Sequence, residues 1–272
     1  MAQVAILGCG NLGQAIIQSS LYSGIRKYNI KGSVFNNTTA KIIKHAYRLK
    51  DVGTHLDNGR IAANVDYIFI SVKPLQVKSV LLNIKKFISP NQIIISTAAG
   101  VTIDYIEKYT YPNQRIIRCM PNLGITNGNG VVGMYSKNVD RTCIDDLGKT
   151  IFKGSKIFNV ENENKIDVMT VLSGCGPAFI SYFAKEMYIK GIECGLNPYE
   201  CNDIIKYTFR GSGDLIQWIG FSEVIYKVAS KGGSTEAGLK YLSINKVDKI
   251  FGETLDRSYH KIKSISRSLE EN

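Results

Sequence analysis

Six residues near the start of the chain, Gly8-Cys9-Gly10-Asn11-Leu12-Gly13, have the types and spacing to hold a pyrophosphate. The first glycine permits a tight turn, the second lets the backbone approach the phosphates, and the third lets a helix pack closely on a strand. The free N–H groups and positive dipole end of the helix opening here complete an anion site. The run Val4–Leu7 before the loop is apolar and Leu12–Ser23 after it is amphipathic. This strand–loop–helix context makes the glycine spacing specific for a dinucleotide such as a nicotinamide cofactor.

The expected second strand ends in Asn36-Asn37-Thr38-Thr39-Ala40-Lys41. An NAD site usually places Asp or Glu here to bind the ribose hydroxyls, and neither is present. Neutral groups with a nearby lysine favour NADP(H). NAD(H) stays open, because no arginine offers a bidentate phosphate contact.

The elements that must position this loop follow from the hydrophobic pattern. Strands are expected at Val4–Leu7, Ser33–Asn36, Tyr67–Val72, Ile93–Thr97, Arg115–Arg118, Val131–Tyr135 and Lys156–Val160. Helices are expected between most of them, at Leu12–Ser23, Thr39–Leu49, Leu75–Phe87 and Ile103–Lys108. Such alternation predicts an α/β fold, a Rossmann-type doubly wound domain over residues 1–160. Residues 161–272 read as all-α, with helices at Pro177–Lys190 and Pro198–Trp218 and one or two more over Ser234–Lys263. Phe179, Ile180, Tyr182, Phe183, Met187 and Ile189 make one of these apolar over much of its circumference. A helix of that kind needs burial on more than one side, which predicts a dimer.

The net charge of +11 is spread along the chain without a recognised nucleic-acid motif, so it reads as a solvated surface and no nucleic-acid partner is expected. Cys9, Cys119, Cys143, Cys175, Cys194 and Cys201 form no C-x-x-C pair, and His45, His55 and His260 are dispersed. No metal site is expected, and the unpaired cysteines suggest a cytoplasmic protein. The three histidines read as surface or packing residues. No run of consecutive apolar residues approaches the ~20 that span a bilayer, so no membrane partner is expected.

Further motifs follow in order: Ser71-Val72-Lys73-Pro74, Ser96-Thr97-Ala98-Ala99-Gly100, Arg118-Cys119-Met120-Pro121-Asn122, Leu172-Ser173-Gly174-Cys175-Gly176-Pro177-Ala178-Phe179 and Lys231-Gly232-Gly233-Ser234-Thr235. The set resembles the pyrroline-5-carboxylate reductase family over nearly the whole chain. The resemblance implies a homodimer, often assembled further, that uses NAD(P)H to reduce the C=N bond of 1-pyrroline-5-carboxylate to L-proline. It further implies cofactor contacts from Gly8, Cys9, Gly10, Asn11, Leu12, Gly13, Asn36, Asn37, Lys73, Pro74 and Ala98. Met120, Pro121, Asn122, Cys175 and the Ser173–Pro177 turn would shape the substrate pocket, and Gly232, Gly233, Ser234 and Thr235 would bind the substrate carboxylate. Thr235 and Ser173 are the expected catalytic residues. Hydride transfer to an imine that arrives protonated needs positioning more than acid–base groups.

Four positions depart from the family pattern. Cys175 and Phe179 replace serine and tyrosine, Lys231 replaces proline, and Asn37 stands where arginine is common. A paralogue acting on another cyclic imine and a non-catalytic nucleotide-sensing protein on the same fold stay open. A β-hydroxyacid dehydrogenase does not fit, because the catalytic lysine expected four residues after Gly176 is Ile180.

Overall fold

The computed structural model describes residues 2–271. Its first part alternates strands and helices: β1 (Val4–Leu7), α1 (Asn11–Tyr22), β2 (Ile30–Val34), α2 (Asn37–Ala46), β3 (Asp51–Thr54), α3 (Asn58–Ala62), β4 (Tyr67–Ile70), α4 (Val77–Ile84), β5 (Ile93–Ser96), α5 (Ile103–Glu107), β6 (Arg115–Pro121), β7 (Val131–Tyr135), α6 (Arg141–Ile151) and β8 (Lys156–Asn159). The helices α7 (Asn164–Met169), α8 (Gly176–Glu193), α9 (Pro198–Ile219), α10 (Phe221–Val228), α11 (Ser234–Ile244) and α12 (Val247–Glu270) follow.

The strands form one sheet in the order β3-β2-β1-β4-β5-β6-β7-β8. Only β6 and β7 run antiparallel. Alternation along each strand sends residues to two faces. Val4, Ile6, Phe69, Ile95 and Ile117 join one apolar layer beneath α1, α2 and α6. Ala5, Leu7, Ile68, Ile70, Ile94 and Ile116 join the opposite layer with α3, α4 and α5. The expected doubly wound sheet is therefore present.

Four elements, β3, α3, α6 and α10, were not expected. β3 is half-buried and contains Gly53, so it lacks the apolar run that marks a strand. α6 sets Ile144, Leu147 and Ile151 at helical spacing on one buried face among charged residues, and α3 and α10 are short. The second strand begins earlier than expected because Ile30 pairs with Val4. It stops at Val34 because Asn36 caps α2, its Oδ1 accepting from Thr39 N at 2.9 Å.

By contacts the chain divides into Met1–Cys175 with Ser258–Asn272, and Gly176–Arg257. The expected division at 160/161 follows the change from strands to helices. The contact division differs because α7 packs on β6 and β7 and the end of α12 returns to the first unit. There Ser266 Oγ donates to Gly100 O at 2.7 Å. Gly100 has φ +73, and a Cβ on it would lie 2.9 Å from the Ile262 carbonyl.

The expected turn at Ser173–Pro177 is instead helical. Thr170–Cys175 is a π-helical stretch joining α7 to α8, so residues 164–193 run as one helix. Pro177 supplies no N–H, and the wider π turn just before it relieves the bonding pattern that proline would break. By length and composition this helix is apolar enough to cross a membrane, although polar and charged residues interrupt its apolar runs. In Gly176–Arg257 the one buried residue is Cys201, while Trp218, Tyr226 and Phe221 are more than 70% exposed.

Candidate functional site

A cleft of about 570 Å³ opens at the carboxyl ends of β1, β2 and β4. In open α/β sheets, ligands bind at such a crevice. Gly8, Cys9 and Gly10 form its floor, Ser33 to Phe35 and Thr39 one wall, and Ser71 to Lys73 with Leu75 and Ser79 the other. The three glycines have separate environments. Gly8 has φ +97, and a Cβ there would lie 2.6 Å from Val72 Cγ1. A Cβ on Gly13 would overlap the Gly8 carbonyl. A Cβ on Gly10 would meet nothing within 4 Å. Gly8 and Gly13 thus shape the turn, whereas Gly10 faces open space where a pyrophosphate can lie against bare backbone. This geometry fits a dinucleotide.

Cys9 contributes backbone rather than its thiol to the cleft. Its Sγ points inward, donating to Ile6 O at 3.4 Å, and burial pushes the thiol up to about 12. Lys73 lines the cleft, and Pro74 follows as the first residue of a short 3-10 turn. Asn11, Leu12, Gly13, Asn36, Asn37, Pro74 and Ala98 lie outside the cleft lining. Asn36 spends its side-chain oxygen on capping α2, and Ala98 is buried beyond β5.

Two further lining residues follow β3: His55, expected to be a surface or packing residue, and Asn58, for which there was no expectation. His55 stacks on Phe35 with ring centroids 5.1 Å apart and planes 11° from parallel. Its Nδ1 lies 3.0 Å from Phe35 O. Asn58 is buried, its Oδ1 accepting from Ser33 Oγ at 2.6 Å. The signal that would have found both is the turn chemistry of Thr54–Asp57, where Asp57 reaches back to Thr54 N as a capping box.

Met120 and Pro121 end β6, both buried. Asn122 is tied down locally, its Oδ1 accepting from Gly124 N at 3.2 Å and Val131 N at 3.1 Å. One residue before Cys119, Arg118 is 2% exposed and bonds Asp167 at 2.8 Å and Glu163 at 3.2 Å. Asp167 also receives Lys263 at 2.7 Å, and Glu163 receives Ile103 N at 2.8 Å. This cluster fixes α7, and with it Ser173, against the sheet that carries Met120. Ser173 Oγ donates to Met169 O at 2.8 Å, so its lone pairs remain available but its proton is committed. Burial raises the Cys175 thiol, which makes it a poor nucleophile at neutral pH.

In the helical unit, Gly232 has φ +75, a conformation that favours glycine. Its N–H donates to Glu236 Oε2 at 2.7 Å, and Gly233 N donates to Ser230 O at 3.0 Å. Two of the N–H groups expected to face a carboxylate therefore have partners within the chain. Ser234 and Thr235 occupy the first turn of α11, whose N–H groups have no intrahelical acceptor.

Residues 163–265 match the family model described as pyrroline-5-carboxylate reductase dimerisation, and residues 3–100 match that described as NADP oxidoreductase coenzyme F420-dependent. A protein from Staphylococcus haemolyticus named pyrroline-5-carboxylate reductase is 26% identical over 271 residues, covering 98% of each chain. A Staphylococcus aureus protein of the same name is 26% identical over 275 residues, 98% of this chain and 97% of that one. The fold is similar to that of a Plasmodium falciparum pyrroline carboxylate reductase solved with NADP bound, with TM-score 0.86 and 24% identity over 97% of this chain and 98% of that one. It is also similar to a 1-pyrroline-5-carboxylate reductase from Streptococcus pyogenes, with TM-score 0.84 and 22% identity over 97% and 98%.

Proposed function

The chain belongs to the pyrroline-5-carboxylate reductase family, and from that premise we propose that it reduces 1-pyrroline-5-carboxylate to L-proline with NADPH. The observation that carries the reading is the cleft at Gly8 and Gly10, built for a pyrophosphate, in a chain whose relatives of that name match it from end to end. When bound, reduced nicotinamide supplies a hydride to the imine carbon. The C=N π pair then moves onto a nitrogen that already carries its proton, so no residue must deliver one.

The protein's own residues bind and orient. Backbone at Gly8 to Gly10 holds the pyrophosphate, with Asn11, Leu12 and Gly13 opening the helix that faces it. Lys73, Pro74, Ala98, Asn36 and Asn37 are assigned to the remaining cofactor contacts. Ser234 and Thr235 offer first-turn N–H groups to the substrate carboxylate, helped by the dipole of α11. Thr235 is assigned to the imine N–H, and Ser173, also assigned a catalytic role, has its own proton committed and can offer only lone pairs. Met120, Pro121, Asn122 and Cys175 are assigned to shaping the substrate pocket, with Gly232 and Gly233 setting the loop.

The exposed apolar surface of α8 to α10 is assigned to a second copy of the chain, matching the dimerisation model. Assembly beyond the dimer and a cytoplasmic location are part of the same proposal. The test mixes purified protein with NADPH or NADH and racemic 1-pyrroline-5-carboxylate and follows absorbance of the reduced cofactor. Turnover with formation of proline supports the reading; no turnover with either cofactor overturns it. One observation favours a second reading, reduction of a different cyclic imine carboxylate. The Glu236 carboxylate already bonds a loop N–H assigned to substrate. Faster turnover of the six-membered homologue in the same assay would favour that reading.

A further inference from the structure

We infer that His55, held by Phe35, reads the 2′ position of the cofactor and couples the choice between NADP(H) and NAD(H) to its own protonation. The inference rests on the cofactor reading above. The last residues of β2 and β3 pair in parallel register, Val34 with Thr54. The next residue on each strand is therefore Phe35 and His55, and the two side chains stack at the edge of the cleft that both line. The end of β2 is where a Rossmann-type site reads the ribose. On this chain it carries neither the acid that binds two hydroxyls nor an arginine that binds a phosphate. The titratable group that reaches the cleft there comes from the neighbouring strand.

The bond to Phe35 determines what His55 can offer. A backbone carbonyl only accepts, so Nδ1 carries a proton and donates at 3.0 Å. Nε2 is left as the variable atom. Unprotonated, it accepts a hydrogen bond and suits the 2′-hydroxyl of NAD(H). Protonated, it is a cationic donor and suits a 2′-phosphate. Nearby charges do not substitute for it. Lys41 on α2 is outside the cleft lining, and Lys73 lies on the opposite wall, at the end of β4. On the turn after β3, Asp57 is engaged by Thr54 at 2.8 Å and by Arg60. Arg60 in turn pairs with Asp51 at 2.7 Å.

The experiment measures dissociation constants of NADPH and NADH by quenching of protein fluorescence, from pH 6.5 to pH 8.5, for the wild type and for His55→Gln. The ratio of the NADH to the NADPH constant is expected to fall about tenfold over this range in the wild type and to stay nearly flat in the variant. The second ionisation of the 2′-phosphate, near pH ~6 by analogy with phosphorylated side chains, is common to both proteins and cancels in the comparison. A wild-type ratio that does not change with pH, or one that changes equally in the variant, overturns the inference while leaving the cofactor reading intact. Binding of neither cofactor overturns both.

Discussion

Arg118 and Asp167, 49 residues apart in sequence, meet at 2.8 Å with both side chains at most 4% exposed. The pair joins β6 to α7, and Lys263 brings the end of α12 to the other oxygen of Asp167. Arg118→Met leaves the buried Asp167 and the half-buried Glu163 without the guanidinium that joins them, and it should cost about 3–5 kcal/mol of stability. Urea unfolding is the check, and a loss under 1 kcal/mol would show the cluster to be dispensable.

Lys263 gives the same cluster a pH signature. Burial, the largest single influence, lowers its pKa, but the bond and charge of Asp167 together with Tyr259 outweigh it and the net shift is upward from 10.5. A raised folded-state pKa adds stability that is fully present below the unfolded value and is lost as pH rises through the folded one. The thermal midpoint should therefore fall more steeply above pH ~10.4 in the wild type than in Lys263→Met. Parallel alkaline profiles would refute this.

The glycine loop separates folding from binding. Gly13→Ala pushes a Cβ into the Gly8 carbonyl and should destabilise the protein by about 1–3 kcal/mol. Gly10→Ala meets open space, so its thermal midpoint should be close to wild type while NADPH affinity drops at least tenfold. Calorimetry and fluorescence titration of both variants read the two effects. Equal affinities in Gly10→Ala and wild type would remove Gly10 from the site.

At the α11 loop, Thr235→Ala should lower kcat/KM for the imine by about 10- to 100-fold, the loss of one or two hydrogen bonds' worth of stabilisation, with NADPH affinity unchanged. An unchanged kcat/KM rules the role out. Glu236→Gln should act in the opposite direction on KM, lowering it several-fold, because it removes the anion that competes at Gly232 N–H. A raised KM would instead mark Glu236 as an organiser of the loop.

The helical unit buries only Cys201 among its described residues, too small a core to be stable without a partner. The thermal midpoint should rise with protein concentration. Met187→Glu places a charge on the apolar face of α8 and should convert the dimer to a less stable monomer by light scattering. A stable dimer in that variant would move the interface away from α8.

Much of this was legible locally. β1, the glycine loop and α1 follow from an apolar run, glycine spacing and an amphipathic period over twenty consecutive residues. Pro198 with Asn197 and Glu200 marks the start of α9 in the same way. β3 was not legible, because a half-buried strand containing Gly53 shows no hydrophobic signature, and the place of His55 and Asn58 in the cleft was lost with it. Glycine and proline usually break helices, which fits the turn expected at Ser173–Pro177. The chain instead widens the helix there by a π-helical stretch.

Periodicity and turn residues act between near neighbours, so sequence alone specified the doubly wound domain, the cofactor loop and the helical second half. It also carried the family resemblance, and so the reaction class. Which side chains face each other across elements depends on strand order and register, which no short window contains. Only the fold could bring His55 beside Phe35, and only the fold could bury Arg118 between Asp167 and Glu163. It also showed that Gly10, alone of the three loop glycines, looks into the open cleft.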